Sequence, residues 1–76
     1  MPELPVISGE ECIATLSRLG YRVARTKGSH ARLRCDGRKP VTVPLHRELD
    51  RGTLRAIIRV AGINIETFNK LNQDKS

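Results

Sequence analysis

The spacing of apolar residues changes twice along the chain, and each change predicts a new kind of element. Apolar residues recur every three or four positions between residues 12 and 19, which is typical of a helix with one buried face. They alternate with polar residues between 21 and 45, as in half-buried strands, and return to helical spacing from residue 54. The pattern predicts a helix, three strands and then two helices.

The first helix has clear start and stop signals. Ser8 and Glu11 have the spacing of a capping box, in which Ser8 is the N-cap, and residues 1–7 form an extended lead-in. We expect the helix to run to about Leu19 and to end at Gly20. Its apolar stripe comprises Cys12, Ile13, Leu16 and Leu19.

Three strands follow, at about residues 21–26, 30–35 and 39–45. Asp36-Gly37 is a strong hairpin signal between the second and third strands. Pro40 and Pro44 place the third strand at a sheet edge or mark its ends, because proline donates no ladder hydrogen bond. The residues predicted to be buried are Tyr21, Val23, Ala31, Leu33, Cys35, Val41, Val43 and Leu45.

The last third of the chain predicts two helices. Asp50 caps a helix that begins at about Arg51 and ends at Gly62, and a short helix covers about 66–71 before a polar tail at 72–76. The apolar residues of the two helices are Leu54, Ile57, Ile58, Ala61, Ile65, Phe68 and Leu71. Helices on one face of a three-stranded sheet make a two-layer α+β fold, which we expect to be a single domain over 1–76 with its core at about 7–71.

The charge balance points to an anionic partner. Fourteen Lys and Arg against eight Asp and Glu give a net charge of +6 and a pI near 10.2. Eleven of the fourteen cations lie between Arg22 and Arg59, so the basic region is central. Only Tyr21 and Phe68 are aromatic, which disfavours base stacking and favours phosphate contacts with a nucleic acid.

Other classes of protein are disfavoured by the composition. The two cysteines, Cys12 and Cys35, form no C-x-x-C pair and are expected to be small buried residues rather than metal ligands or a disulfide scaffold. No apolar run reaches the ~20 residues of a membrane span, and no secretory signal follows Met1. We therefore expect a cytoplasmic protein without metal or cofactor.

The second predicted strand carries the candidate chemistry. Side chains alternate along a strand, so His30, Arg32 and Arg34 share one face, away from the core. Imidazole transfers protons near neutral pH, and guanidinium matches phosphate geometry. RNA supplies its own nucleophile, the 2′-hydroxyl, so His30 as base or acid and Lys27, Arg32 and Arg34 as phosphate clamps suit RNA cleavage. The amides of Gly28 and Ser29 offer further contacts to a phosphate.

Less specific interpretations stay open from the residues alone. His30 and the two arginines equally fit a solvated strand face, or a module that binds RNA without cutting it. His46 is either a second acid–base group or an unrelated loop residue. Arg51, Arg55 and Arg59 recur on one helix face, which is commonly solvated but also suits phosphates, an acidic partner or a DNA groove; no helix-turn-helix unit is evident there.

Several motifs together resemble the HicA family of toxins, the mRNA interferases of type II toxin–antitoxin modules. They are Gly28-Ser29-His30, Asp36-Gly37-Arg38, Val41-Thr42-Val43-Pro44 with His46, Gly52-Thr53-Leu54-Arg55 and Ala61-Gly62-Ile63. The resemblance spans about 7–71 and implies a fold like a double-stranded RNA-binding domain, α-β-β-β-α. It also implies metal-independent endoribonuclease activity on mRNA, His30 as the catalytic histidine, and inhibition by a HicB-type antitoxin.

Overall fold

A computed structural model describes residues 2–74 of the 76-residue chain, and it confirms the predicted order and α+β class. Three helices and three strands follow one another as α1 (Gly9–Ser17), β1 (Arg22–Lys27), β2 (His30–Cys35), β3 (Arg38–Pro44), α2 (Arg51–Ala61) and α3 (Ile65–Gln73). Likeness to a double-stranded RNA-binding domain and the single-domain assignment stay predictions.

The three strands form one antiparallel sheet in the order β1-β2-β3. Two-residue turns join them, and the glycine of each turn adopts a positive φ, 59° at Gly28 and 80° at Gly37. Glycine tolerates this conformation because it lacks a Cβ. His30 pairs with Lys27 on one side and Pro44 on the other, so β2 is the central strand and β1 and β3 are edges.

Helices α1 and α2 cover one face of the sheet. Ala31 and Leu33 of β2 are 1% and 0% exposed, and Val41 and Val43 of β3 are buried beside them, as predicted. Phe68 brings α3 into the same core, which also contains the predicted stripe residues of α2. Alternation along β2 and β3 therefore buries one face and leaves the other to solvent.

The helix ends follow their predicted caps. The reciprocal hydrogen bonds of the capping box join Ser8 and Glu11, and Asp50 caps α2 by accepting from the amide of Thr53. Helix α2 ends at Ala61, and its predicted terminator Gly62 is the C-cap, in the left-handed conformation with φ 81°. Helix α1 stops at Ser17 rather than near Leu19, because residues 18–20 tighten into a turn in which the amide of Leu19 donates to Leu16.

The burial predicted for Val23 is wrong. Val23 is 47% exposed, although its cross-strand partner Leu33 is fully buried. Every residue of β1 is exposed, so the alternation of buried and exposed residues seen in β2 and β3 does not extend to this edge strand. Tyr21 is buried, but it precedes β1 and donates its hydroxyl to the carbonyl of Lys39 at 2.7 Å.

The polar tail predicted at 72–76 is also partly wrong. Helix α3 continues to Gln73, and Asn72 accepts a hydrogen bond of 3.0 Å from the hydroxyl of buried Thr15. This contact fastens α3 to α1, and Arg18 adds a second by donating to the carbonyl of Leu71 at 2.8 Å. Residues 75 and 76 of the predicted tail lie outside the described residues, as does Met1 of the lead-in.

The two cysteines are both free. Cys12 is fully buried, and burial raises the pKa of its thiol to about 12, so this group stays neutral and acts as a packing residue. Cys35 is half-buried against the same core. Within residues 2–74, no helix has the length and apolar character that crossing a bilayer requires.

Candidate active site

The solvent-exposed face of the sheet collects cations from two strands. His30, Arg32 and Arg34 alternate with buried residues along β2 and all lie on this face, as predicted. The register places Lys27 opposite His30 and Arg25 opposite Arg32. Directly paired residues of antiparallel strands project to the same face, so β1 adds its cations to those of β2.

These side chains line an open groove of about 610 Å³, which we call the basic groove. Its lining residues are Ala24, Arg25, Lys27, His30, Arg32, Arg34 and Thr42. Four of the seven carry a permanent positive charge and none is acidic. A concave surface with one sign of charge raises the local concentration of anions, so the charge of this groove favours anionic ligands.

One hydrogen bond orients a guanidinium inside the groove. Arg32 donates through Nη1 to the hydroxyl oxygen of Thr42 on β3 at 3.0 Å. The two residues are directly paired between the central strand and its neighbour. This bond uses one of the five N–H groups of the guanidinium, so Arg32 has further N–H groups for a phosphate oxygen.

The structure brings together four of the six predicted site residues and adds others. Lys27, His30, Arg32 and Arg34 line the groove, whereas Gly28 and Ser29 form the turn at its end. The carbonyl of Ser29 accepts from the amide of Leu45, so this turn is fixed to the end of β3.

Sequence reasoning missed Arg25 and Thr42. The signal lay in the turn length, since a two-residue turn at 28–29 sets residue 27 opposite 30 and residue 25 opposite 32. Counting back from the Asp36-Gly37 turn does not reach Thr42, because a register irregularity between Leu33 and Cys35 shifts the pairing by one residue.

His46, the second candidate acid–base residue, does not line the groove. It is exposed in the loop after β3, and its carbonyl accepts from the amide of Gly9 at 2.9 Å. Hydrogen bonds from Thr53 hold the pKa of Asp50 below its usual value, and the electrostatic influence of His46 adds a smaller contribution. The groove lining therefore contains one imidazole, that of His30.

The arginine stripe of α2 forms a separate basic surface. Arg51, Arg55 and Arg59 are exposed on the helix that covers the opposite face of the sheet. They do not line the basic groove. No cluster of three or more His, Cys, Asp or Glu side chains suited to a metal ion occurs among residues 2–74.

The fold and site define a small α+β domain that presents a basic, histidine-containing groove on an open sheet. The family model of the HicA toxin of bacterial toxin–antitoxin systems matches residues 9–63, more than half of the chain. The chain therefore belongs to the HicA toxin family.

A solved structure agrees with this assignment. A chain in a toxin–antitoxin complex from Streptococcus pneumoniae is 34% identical and superimposes with a TM-score of 0.66, covering 75% of this chain and 98% of that chain. A comparison with curated proteins finds no match.

Proposed function

We propose that this toxin is an endoribonuclease that cleaves mRNA in the basic groove, with His30 transferring the proton. The observation that carries the proposal is the placement of His30 among four permanent cations and no carboxylate. Such a site attracts RNA and offers it an imidazole, which can both accept and donate a proton.

The reaction needs no nucleophile from the protein. The 2′-hydroxyl of a ribose attacks the adjacent phosphorus, forming the O2′–P bond while the P–O5′ bond breaks. The proton leaves the 2′-oxygen and one is delivered to the 5′-oxygen, which yields a 2′,3′-cyclic phosphate and a 5′-hydroxyl. His30 serves as the base in the first transfer or the acid in the second.

The cations lower the barrier by stabilising the extra negative charge on the phosphorane-like transition state. Arg32 is the best-placed of them, since its bond to Thr42 holds the guanidinium before substrate arrives. Lys27 and Arg34 flank His30 and Arg32 and hold the neighbouring phosphates. The amides of Gly28 and Ser29 complete the proposed phosphate contacts at the end of the groove.

Regulation follows from the family. A toxin of a toxin–antitoxin module is held inactive by its antitoxin, and we propose a HicB-type protein as the partner of this chain. The toxin itself would act in the cytoplasm, where its proposed mRNA substrate is found.

A variant pair tests the catalytic role. The wild-type protein, His30→Ala and His46→Ala are incubated with a long RNA in excess EDTA, and fragments are counted. Because general acid–base catalysis contributes about 10²–10⁴-fold, His30→Ala should lose cleavage by at least about a hundredfold. His46→Ala removes the same side chain from outside the groove and should cut normally.

Two results separate the alternatives. If the wild type binds RNA but leaves it intact, the protein is an RNA-binding module rather than a nuclease. If cleavage requires the absence of EDTA, a metal ion takes part and the proposed chemistry is wrong.

A further inference from the structure

The two edges of the sheet differ in their capacity to accept another strand. The amide of Leu45 donates to the carbonyl of Ser29, which makes this pair hydrogen-bonded. Hydrogen-bonded and non-bonded pairs alternate along an antiparallel ladder, so Ala31 and Val43 are bonded while the flanking pairs are not. The main-chain hydrogen-bonding groups of Thr42 and Pro44 consequently point away from β2, towards the outer edge of β3.

Prolines weaken the outer edge of β3. Pro44 occupies an outward-facing position and has no N–H to give. Pro40 also lacks an N–H, and it lies in the irregular part of β3 between Arg38 and Val41, where the pairing register shifts. The outer edge of β3 is therefore a poor template for strand addition.

The outer edge of β1 keeps its donors. Ala31 directs its backbone towards β3, so its pair with Thr26 is non-bonded, and the N–H and C=O of Thr26 point outward. No proline occurs between residues 22 and 27, and all six side chains of β1 are exposed. Edge strands of this kind are where other chains pair with a sheet.

The side chains of β1 specify what fits beside it. Arg22, Arg25 and Lys27 face the groove side, because they pair with Arg34, Arg32 and His30. Val23 pairs with buried Leu33 and presents an apolar surface, 47% exposed, on the helix side. A second copy of this chain would place cations against cations, whereas carboxylates there would be attracted.

We propose that β1 is the docking edge for a β-strand of the antitoxin, one that alternates Asp or Glu with apolar residues. This inference rests on the proposed antitoxin partner and adds the mode of binding. Acidic side chains of the added strand face Arg25 and Lys27, and its apolar side chains cover Val23. The added strand would border the open side of the basic groove, and its carboxylates would pair with cations that the proposed RNA substrate also contacts. Antitoxin and RNA would therefore compete for this site.

Amide hydrogen exchange on the complex tests the docking edge. The toxin is co-expressed with the protein encoded by the neighbouring gene, and exchange is compared between the free toxin and the complex. The amide of Thr26 should exchange at least tenfold more slowly in the complex. The amide of Thr42, which points outward from the other edge, is the matched control and should be unchanged.

A variant pair tests the apolar contact. Val23→Gln and Val60→Gln each remove an exposed valine without changing charge; Val60 is 41% exposed on α2. Val23→Gln should weaken antitoxin binding about fivefold, and Val60→Gln should bind normally. Both free variants should cleave RNA like the wild type, since neither residue lines the groove.

The outcomes are distinct. Protection of Thr26 together with weaker binding by Val23→Gln supports the proposal. A complex that protects α2 or β3 instead of β1 overturns it, as does a failure to form any complex. In either case the cleavage assay with His30→Ala judges the nuclease proposal separately.

Discussion

The two faces of strand β2 carry different tasks on alternate residues. Ala31 and Leu33 point into the core and are at most 1% exposed, whereas His30, Arg32 and Arg34 point into the basic groove. One set stabilises the fold by excluding water, and the other is exposed to solvent, where the proposed substrate would bind. We therefore expect that stability and the proposed activity can be changed independently within these six consecutive residues.

The core face should show the largest effect on stability. Leu33→Ala removes a fully buried side chain from the centre of the sheet, and such truncations cost about 2–5 kcal/mol. For a 76-residue chain that is a large share of the free energy of unfolding. Urea denaturation followed by circular dichroism measures it. Arg34→Ala, one residue along and exposed, should leave the midpoint nearly unchanged, and equal losses for both variants would contradict the division between faces.

The groove face should show its effect on RNA binding. Arg32→Ala removes one phosphate contact, so the slope of log K against log salt should fall by about 0.7 for single-stranded RNA. Arg55→Ala makes the same change in charge on α2, outside the basic groove. It should leave that slope close to the wild-type value in a fluorescence anisotropy titration. A larger effect of Arg55→Ala would place RNA on the helix face instead.

We expect a smaller effect on the stability of the fold when acid protonates Asp50, the N-cap of α2. The pKa of Asp50 is lowered in the fold, so the unfolded chain binds its proton more readily. The cap therefore stabilises the fold above the unfolded pKa of about 3.9, and its contribution is lost as pH falls through the lower folded value. Asp50→Asn, which retains a capping side chain, should lose less stability than the wild type between about pH 4 and pH 2. Urea midpoints at a series of pH values measure this, and parallel pH profiles for the two proteins would exclude the role of Asp50.

Alternation within β2 was predictable from the sequence because a strand has a fixed period of two. The caps at Ser8, Asp50 and Gly62 were predictable for a similar reason, since each depends on residues a few positions apart. These are local rules, and the structure confirms them.

The differences concern contacts between elements. Val23 has the alternation of a buried residue, but whether a helix covers it depends on where α1 and α2 lie across the sheet. Asn72 is polar and is predicted from the sequence to lie in the tail. In the structure it accepts a hydrogen bond from Thr15 of α1, which is 57 residues away in the chain. Arg25 and Thr42 joined the site through strand register, which a bulge can shift by one residue.

The chemistry of the RNA ends distinguishes attack by the 2′-hydroxyl from attack by water. Wild-type protein is given two otherwise identical RNA strands, one with ribose throughout and one with 2′-deoxyribose on the 5′ side of the cleaved bond. We expect that only the first strand is cut, that its 5′ fragment ends in a 2′,3′-cyclic phosphate, and that His30→Ala cuts neither strand. Cleavage of the 2′-deoxy strand, or fragments ending in a 3′-hydroxyl, would show that water or another nucleophile attacks the phosphorus, and the proposed role of the groove would be wrong.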